Sequence, residues 1–174
     1  PTIALSPDPV YGDSTLTAMA SGSTDPDGNA VSYFYEWYEN GTLHSSTTNS
    51  VPSSDLDVGE VWTVRVTPND GYTDGAYTEA NITIANSNPT ITSPVISSAT
   101  GSIYNDSVVT CTATATDIDE VVTPSYTWDI NGSSVTGSSV DLSNYTVSSG
   151  DSISCTADVA DSNGGSATSQ SSTV

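Results

Sequence analysis

The chain has 174 residues, with 21 Asp and Glu against a single Lys or Arg, so its formal net charge at pH 7 is -20. A surface this acidic repels phosphate and releases no counterions on binding it, which argues against nucleic acid as a partner. Hydrophobic residues make up 34% of the chain, and no apolar run approaches the roughly 20 residues needed to cross a bilayer. We therefore expect no membrane span in this segment.

The sequence contains an internal repeat. The stretch "VYGDSTLTAMA" from Val10 matches "IYNDSVVTCTA" from Ile103, and further along Trp37 aligns with Trp128. A repeat of this length indicates two copies of one domain of about 87 residues. Since the chain starts at a repeat boundary and ends in what looks like a strand, we expect the natural polypeptide to continue beyond one or both ends. The predicted organisation is domain 1 over residues 1–85, a linker over 86–89 and domain 2 over 90–174.

Each copy is predicted to be all-β. Segments such as "VSYFYEWY", "EVWTVRV" and "SISCTADVA" alternate apolar with small or polar residues at period two, and β-branched residues are abundant. Gly, Asn, Asp, Ser and Pro interrupt them at the short intervals typical of a sandwich of about seven strands. The pairs Asn40-Gly41 and Asn131-Gly132 follow the Trp-containing strands, where Asn-Gly favours a tight hairpin turn with positive φ.

The two cysteines, Cys111 and Cys155, both lie in domain 2, with Trp128 between them. This Cys, Trp, Cys order resembles the immunoglobulin fold, in which an inter-sheet disulfide packs against a buried Trp. The resemblance implies two tandem immunoglobulin-like β-sandwiches and a Cys111–Cys155 disulfide. Domain 1 has Ala18 and Val64 at the corresponding positions and therefore no bridge. The alternative is a pair of free, buried thiols.

A second resemblance covers both copies along nearly their whole length. The stretches "ASGSTDPDGNAVSYFYEWYENG" and "VWTVRVTPNDGYTDG" resemble polycystic kidney disease (PKD) repeats and related immunoglobulin-like repeats of bacterial and archaeal surface proteins. Glu39-Asn40-Gly41 stands where the PKD pattern usually has Gly-Asp-Gly, which favours a broader prokaryotic immunoglobulin-like or cadherin-like family. The resemblance implies a spacer, adhesive or filament-building role at the cell surface or outside the cell.

The acidic loops are the one group of residues in the sequence that could form a binding site. In a sandwich, the loop after the second strand and the last hairpin emerge at the same end, and both are rich in carboxylates, the hard oxygen ligands that calcium prefers. Cadherin-like arrays bind calcium at such ends, and in domain 2 this end is expected to face the linker. The alternative is that these residues serve turns and stay solvated. The candidate calcium ligands are Asp25, Asp27, Asp70, Asp117, Asp119, Glu120 and Asp161.

Two further surface features are predicted. If Trp37 is buried, Phe34, Glu36 and Tyr38 point outward on the same strand, where domain 2 has Thr127 and Asp129 at corresponding outward sites. Phe34 and Tyr38 therefore form a candidate contact surface in domain 1 alone. Five Asn residues stand in N-glycosylation sequons, a number close to what a chain this rich in Ser and Thr produces by chance. The candidate glycosylation sites are Asn40, Asn81, Asn105, Asn131 and Asn144.

Catalysis has little support in the sequence. His44 is the only histidine and Arg65 the only basic side chain, so neither a general base tuned near neutrality nor a cationic clamp can be assembled. We expect a non-enzymatic extracellular structural module, a repeat of a filament, stalk or surface layer that associates with identical or neighbouring repeats. The alternative is an adhesin module that binds a glycan or a partner protein.

Overall fold

The computed structural model describes residues 1–171 and 173–174 and divides into two compact units, unit 1 over Pro1–Asn86 and unit 2 over Ser87–Val174. Apart from the 3₁₀ turns Ser53–Asp55 and Leu142–Asn144, the regular structure of the described residues consists of β-strands, so the predicted all-β class is confirmed. The described residues contain no helix that is long and apolar enough to span a membrane. The boundary between the units falls inside the segment predicted as the linker.

Unit 1 is built from two sheets. One has the order β1-β3-β6, and the other, named here the β4 sheet, has the order β2-β8-β7-β4-β5. All neighbours pair antiparallel except β2 and β8, which run parallel. The strands are β1 (Thr2–Ser6), β2 (Val10–Tyr11), β3 (Leu16–Ser21), β4 (Ser32–Glu39), β5 (Thr42–Leu43), β6 (Ser50–Val51), β7 (Val61–Asn69) and β8 (Thr78–Ala85).

The core of unit 1 lies between these sheets because alternate residues of each strand face inward. Along β7, Trp62, Val64 and Val66 are completely buried, while the residues between them are more exposed. Trp62 meets Trp37 of β4 edge to face, with ring centroids 6.4 Å apart, a geometry that aromatic pairs prefer. Trp37 is itself completely buried, which meets the condition under which Phe34 and Tyr38 were expected to point outward.

Unit 2 repeats this arrangement with shorter strands. Its sheets have the orders β10-β11-β15, β12-β9 and β14-β13-β16-β17, the last named here the β13 sheet. The described parts of both units contain more strand segments than the seven or so predicted, because two-residue stretches pair separately. The strands are β9 (Thr90–Ile91), β10 (Val95–Ser98), β11 (Val108–Thr112), β12 (Ala115–Thr116), β13 (Ser125–Ile130), β14 (Ser133–Thr136), β15 (Ser139–Asp141), β16 (Ile153–Ala160) and β17 (Ser166–Gln170).

The predicted disulfide is present in unit 2. Cys111 of β11 and Cys155 of β16 are bonded, with their Cα atoms 6.5 Å apart, so the bridge joins the two main sheets. Trp128 of β13 pairs directly with Cys155 and is completely buried. In unit 1, Ala18 and Val64 are completely buried at the corresponding positions. The same core positions therefore hold a disulfide in unit 2 and two apolar side chains in unit 1.

The two Asn-Gly turns have the predicted conformation. Asn40 has φ +48° and Gly41 φ +83°, and they join β4 to β5 as a two-residue hairpin. Asn131 and Gly132, with φ +49° and +84°, join β13 to β14 in the same way. Positive φ at both central residues matches the right-handed twist of the flanking strands, and Asn and Gly tolerate it best.

Candidate functional site

The outward side of β4 carries the residues predicted as a contact surface. Because Trp37 is buried, alternation places Phe34 and Tyr38 on the opposite side, and Phe34 is 57% exposed. Tyr38 is only half-exposed, which differs from the open surface position expected for it. The reason is the guanidinium of Arg65, which lies 5.2 Å from the centroid of the Tyr38 ring.

Arg65 is held on this surface by two rings and two carboxylates. In the strand register it lies directly between Glu36 of β4 and Glu79 of β8. Its Nε and Nη2 atoms are each 2.9 Å from Glu79 Oε1, and its Nη1 atom is 3.8 Å from Glu36 Oε2. The guanidinium also lies 4.4 Å from the centroid of the Tyr77 ring. The hydrogen bond to Glu79 raises the pKa of Arg65 above its ordinary value, so the side chain stays charged.

These contacts organise a surface more than they stabilise the fold, since exposed ion pairs and cation–π contacts each contribute little. We call Phe34, Tyr38, Arg65 and Tyr77 the aromatic face. The sequence predicted only Phe34 and Tyr38 as contact residues. The alternation of β7, with Val64 and Val66 inward, was the available signal that Arg65 points outward beside β4.

The described residues of unit 2 contain no counterpart of the aromatic face. By the repeat alignment, the row formed by Glu36, Arg65 and Glu79 corresponds to Thr127, Thr156 and Gln170, which are paired across β13, β16 and β17 in the same register. The corresponding row of unit 2 therefore holds neither a charge nor an aromatic ring. The sequence predicted that the two repeats differ at this surface, and the difference extends across three strands.

In unit 1 the two acidic loops lie at the same end, since Asp25 and Asp70 line one cavity of about 210 Å³. Both carboxylates are engaged in turns. Asp25 Oδ1 accepts a hydrogen bond of 2.8 Å from the backbone N–H of Asp27. Asp70 Oδ1 accepts bonds from Thr73 N at 2.7 Å and Tyr72 N at 2.8 Å, which lower the pKa of Asp70, the Thr73 bond most strongly.

The acidic loops of unit 2 are likewise joined to each other. Both carboxylate oxygens of Glu120 accept hydrogen bonds from Ser162, one from its backbone N–H and one from its hydroxyl. The neighbouring Asp161 uses Oδ1 to accept bonds from Asn163 N at 2.9 Å and Gly165 N at 2.7 Å. These bonds close the last hairpin of unit 2 and attach it to the loop that precedes β13.

Asp119 connects this end of unit 2 to the beginning of the unit. Its Oδ2 atom accepts a 2.6 Å hydrogen bond from the backbone N–H of Ser87, and its own N–H donates to Asp117 Oδ1 at 2.7 Å. The remaining oxygens, Asp117 Oδ2 and Asp119 Oδ1, are buried and have no hydrogen-bond partner within the described chain. Two carboxylate oxygens therefore lack the donors that would offset the cost of burying them.

The candidate calcium ligands do not form a complete side-chain site. Within residues 1–171 and 173–174, no three His, Cys, Asp or Glu side chains come together in a way that could hold a metal ion. Most of the predicted ligands instead accept hydrogen bonds from nearby backbone in turns, as the alternative of solvated turn residues predicts. Among the candidate ligands, only Asp117 and Asp119 have buried oxygens without donors in the described residues, so calcium there would need further oxygens from backbone or water.

His44 has structural contacts that account for its placement. Its Nε2 atom lies 3.5 Å from Asp55 Oδ2, and its Nδ1 atom accepts a 3.2 Å bond from Ser46 N. Its ring meets the buried Trp62 at 4.9 Å between centroids. The side chain therefore braces the segment after β5 against the core.

The sequon asparagines are all exposed, but two of them are used by the hairpin turns. Asn40 Oδ1 accepts a 3.0 Å bond from Val61 N, and Asn131 Oδ1 accepts a 3.3 Å bond from Ser152 N. These contacts account for the presence of Asn at both turns, so no glycan is needed to explain either residue. The exposed set comprises Asn40, Asn81, Asn105, Asn131 and Asn144.

No family model matches the chain, and no curated protein matches it. Among solved structures, it is similar to a Ca²⁺-stabilized adhesin that helps an Antarctic bacterium reach out and bind ice. The two are 18% identical with a TM-score of 0.36, and the match covers 97% of this chain and 46% of the adhesin chain. The chain thus spans less than half of the protein it matches. A likeness of this size supports no statement about function.

Proposed function

We propose that the chain is a non-enzymatic, extracellular structural module that associates with an identical or neighbouring repeat through the aromatic face of unit 1. The observation that carries the proposal is the cluster formed by Phe34, Tyr38, Arg65 and Tyr77. The cores of protein interfaces are enriched in aromatic residues and Arg, and such residues contribute most to binding when they are desolvated together. Phe34 and Tyr77 are 57% and 56% exposed, so both still have surface to bury.

Charge also favours this face for self-association. A chain with net charge -20 repels its own copies over most of its surface. The aromatic face contains the only basic side chain, and Arg65 offsets part of the charge of Glu36 and Glu79. Two copies can approach here with less repulsion than elsewhere. The Cys111–Cys155 disulfide supports an oxidising, extracellular setting, because disulfides rarely persist in the cytosol.

The test is the oligomeric state of the whole chain, measured by sedimentation velocity over a wide concentration range. We expect concentration-dependent association that is lost in Phe34→Ser with Tyr77→Ser. Tyr72→Ser is the matched control, because Tyr72 is 83% exposed and lies in a loop outside the aromatic face. A chain that stays monomeric at every concentration, or association that survives the double substitution, contradicts the proposal.

A second candidate is an adhesin that uses the same face to bind a neutral glycan. It is favoured by the placement of Glu36 and Glu79 among exposed rings, since aromatic faces stack on sugars while carboxylates accept hydrogen bonds from hydroxyl groups. This candidate predicts a monomer with a saturable ligand on a glycan array. Loss of that binding in Phe34→Ser, without any change in sedimentation, would favour it over the structural module.

A further inference from the structure

The outer edge of β4 in unit 1 is only partly covered by another strand. Strand β5 pairs with Tyr38 and Glu39 alone, while β7 pairs with β4 along its other edge. The chain then turns away from β4, since His44 packs against Trp62 with 4.9 Å between ring centroids. Within the described residues, the part of β4 before Trp37 therefore has no neighbouring strand on the β5 side. We call this stretch, residues 32–36, the open edge.

The hairpin determines which backbone groups point to this side of β4. Glu39 and Thr42 flank the two-residue turn, so they face each other as a hydrogen-bonded pair. Backbone groups alternate in direction along a strand, so every second residue before Glu39 directs its N–H and C=O to the same side. These residues are Trp37, Tyr35 and Tyr33.

Two of these three residues have unpaired backbone groups. The Trp37 carbonyl accepts a 2.8 Å hydrogen bond from His44 N, which agrees with the direction derived from the hairpin. In the part of the chain that the structure describes, the backbone N–H and C=O of Tyr33 and Tyr35 have no hydrogen-bond partner. Each of the two tyrosines therefore offers a donor and an acceptor to another strand.

Unit 2 covers the corresponding edge. Its strand β14 has four residues, against two in β5, and Gly137 N continues the ladder with a 3.0 Å bond to the Tyr126 carbonyl. Tyr126 corresponds to Tyr35, because Trp128 corresponds to Trp37 in the repeat alignment. The open edge is thus particular to unit 1. It results from the course of the chain between β5 and β6, far from either end of the sequence.

We infer that two copies of the chain associate by antiparallel pairing of their open edges, with Phe34 facing Phe34 of the second copy. In this register Tyr33 of each copy exchanges backbone hydrogen bonds with Tyr35 of the other. The two β4 sheets then form one continuous sheet, with both aromatic faces on the same side. The inference rests on the proposed function, because it specifies how the aromatic faces of two copies come together.

The side chains of the open edge suit a second copy of the same strand. Phe34 points outward and is 57% exposed, and aromatic residues that face each other across two strands stabilise the pairing. The register places Glu36 opposite Ser32 of the second copy, so no two carboxylates face each other. Glu36 also lies 3.8 Å from Arg65 of its own chain, which offsets part of its charge.

The symmetry of this pairing limits the assembly to two copies. The same residues face each other in both directions, so the contact is isologous and closes on itself. Each chain has one edge of this kind, because β14 covers the corresponding edge of unit 2. Strand pairing obtains its affinity from backbone hydrogen bonds, which Tyr33 and Tyr35 supply.

A cysteine in the open edge tests the register. Residues that face each other without exchanging hydrogen bonds have Cα atoms about 4.5 Å apart in antiparallel pairs, a separation that a disulfide can bridge. We expect Phe34→Cys to form a disulfide-linked dimer of the full chain under mild oxidation, seen by non-reducing electrophoresis. No other thiol competes, because Cys111 and Cys155 are bonded to each other.

Tyr77→Cys is the matched control for this crosslink. Tyr77 is 56% exposed on the same face, but it precedes β8, which is two strands away from β4. We expect no crosslink from this position. Equal crosslinking of the two variants, or crosslinking of Tyr77→Cys alone, overturns the inference.

Amide hydrogen exchange in the unsubstituted chain tests the backbone bonds directly. The Tyr35 N–H is free in the monomer and bonded in the dimer, so its exchange should slow as the chain concentration rises. The Phe34 N–H points to β7 in both states and is the control. Tyr35 exchange that does not depend on concentration, in a chain that associates, overturns the inference.

Single substitutions separate this inference from the proposed function. By sedimentation velocity, we expect Phe34→Ser to weaken the dimer about tenfold, because it removes the facing aromatic pair. Tyr77→Ser should leave the dissociation constant of the dimer unchanged. If both substitutions weaken association equally, the aromatic faces pack face to face and the strand pairing alone is wrong. If the unsubstituted chain stays monomeric at every concentration, the proposed function is wrong and the strand pairing with it.

Discussion

Cys111 and Cys155 bond the two main sheets of unit 2 together at the positions where unit 1 has a simple apolar contact. Ala18 and Val64 fill those positions in unit 1 and are completely buried. The core geometry of this fold therefore does not depend on the crosslink. The bridge instead restricts the unfolded chain of unit 2, because it closes a loop between residues 44 apart in sequence.

The substitutions Cys111→Ala and Cys155→Val, which install the residues of unit 1, are expected to destabilise unit 2 selectively. Chain entropy sets the loss at about 4 kcal/mol for a loop of this length. Urea unfolding followed by amide hydrogen exchange measures each unit separately. Unit 1 serves as the internal control, and reductant should have no further effect on the double variant. Equal destabilisation of both units would contradict the assignment of the bridge.

The sequence predicted the features that depend on local pattern. The immunoglobulin resemblance implied a buried Trp beside the disulfide, where Trp128 lies, and the Asn-Gly pairs predicted the positive φ values of the two hairpins. The parallel pairing of Val10 with Ile84 was not predicted, because it joins two short segments far apart in the chain. Such a pairing leaves no periodic signal in either segment.

The acidic loops show a different limit of sequence interpretation. Asp25, Asp70 and Asp161 all accept hydrogen bonds from backbone N–H groups a few residues along the chain. The same residue types serve turns and bind calcium, so composition alone does not separate the two roles. What separates them is whether an oxygen is left buried without a donor, which depends on packing. Only Asp117 and Asp119 meet that condition among the predicted ligands.

Gly41→Ala is expected to destabilise unit 1 by about 1 kcal/mol. Gly41 has φ +83°, where a Cβ raises the backbone energy by roughly 1–2 kcal/mol. No atom lies within 4 Å of the added Cβ, so the cost is conformational rather than steric. Chemical denaturation gives the free energy of unfolding, with exposed Ser45→Ala as the control. If Gly41→Ala lowers the free energy of unfolding no more than Ser45→Ala does, the turn has relaxed to another type.

Glu39 and Glu60 are expected to make the stability of unit 1 depend on pH. A hydrogen bond to Glu60, together with its charge, raises the pKa of Glu39 above its usual 4.5. The folded state therefore holds this proton more tightly than the unfolded chain does. The resulting stability is fully present at pH values below 4.5 and is lost as the pH rises through the raised pKa.

Glu39→Gln tests this pair, because it removes the repulsion while Glu60 keeps its bonds to Trp62 and Asp57. We expect the variant to melt at a higher temperature than the wild type at pH 7, with the difference shrinking below pH 4.5 and in high salt. Asp106→Asn, in unit 2, changes the net charge equally and is the control. If both variants shift the melting temperature alike at all pH values, the effect belongs to net charge and not to the pair.

Calcium is expected to stabilise unit 2 through Asp117 and Asp119. Their buried oxygens, Asp117 Oδ2 and Asp119 Oδ1, have no donor in the described residues, and a hard cation would offset the cost of burying them. Because the ion binds the folded state, a concentration about ten times its Kd adds about 1.4 kcal/mol to the free energy of unfolding. Monovalent salt screens exposed charges without that specificity.

Melting curves in millimolar CaCl₂, in EDTA and in NaCl of matched ionic strength distinguish binding from screening. We expect calcium to raise the melting temperature of unit 2 more than sodium does. The double variant Asp117→Asn with Asp119→Asn should lose this difference, whereas Asp13→Asn with Asp106→Asn, which removes the same charge elsewhere, should keep it. Calcium that acts no more strongly than sodium would mean that the buried oxygens find their partners in water, and that the acidic loops of both units serve only as turns.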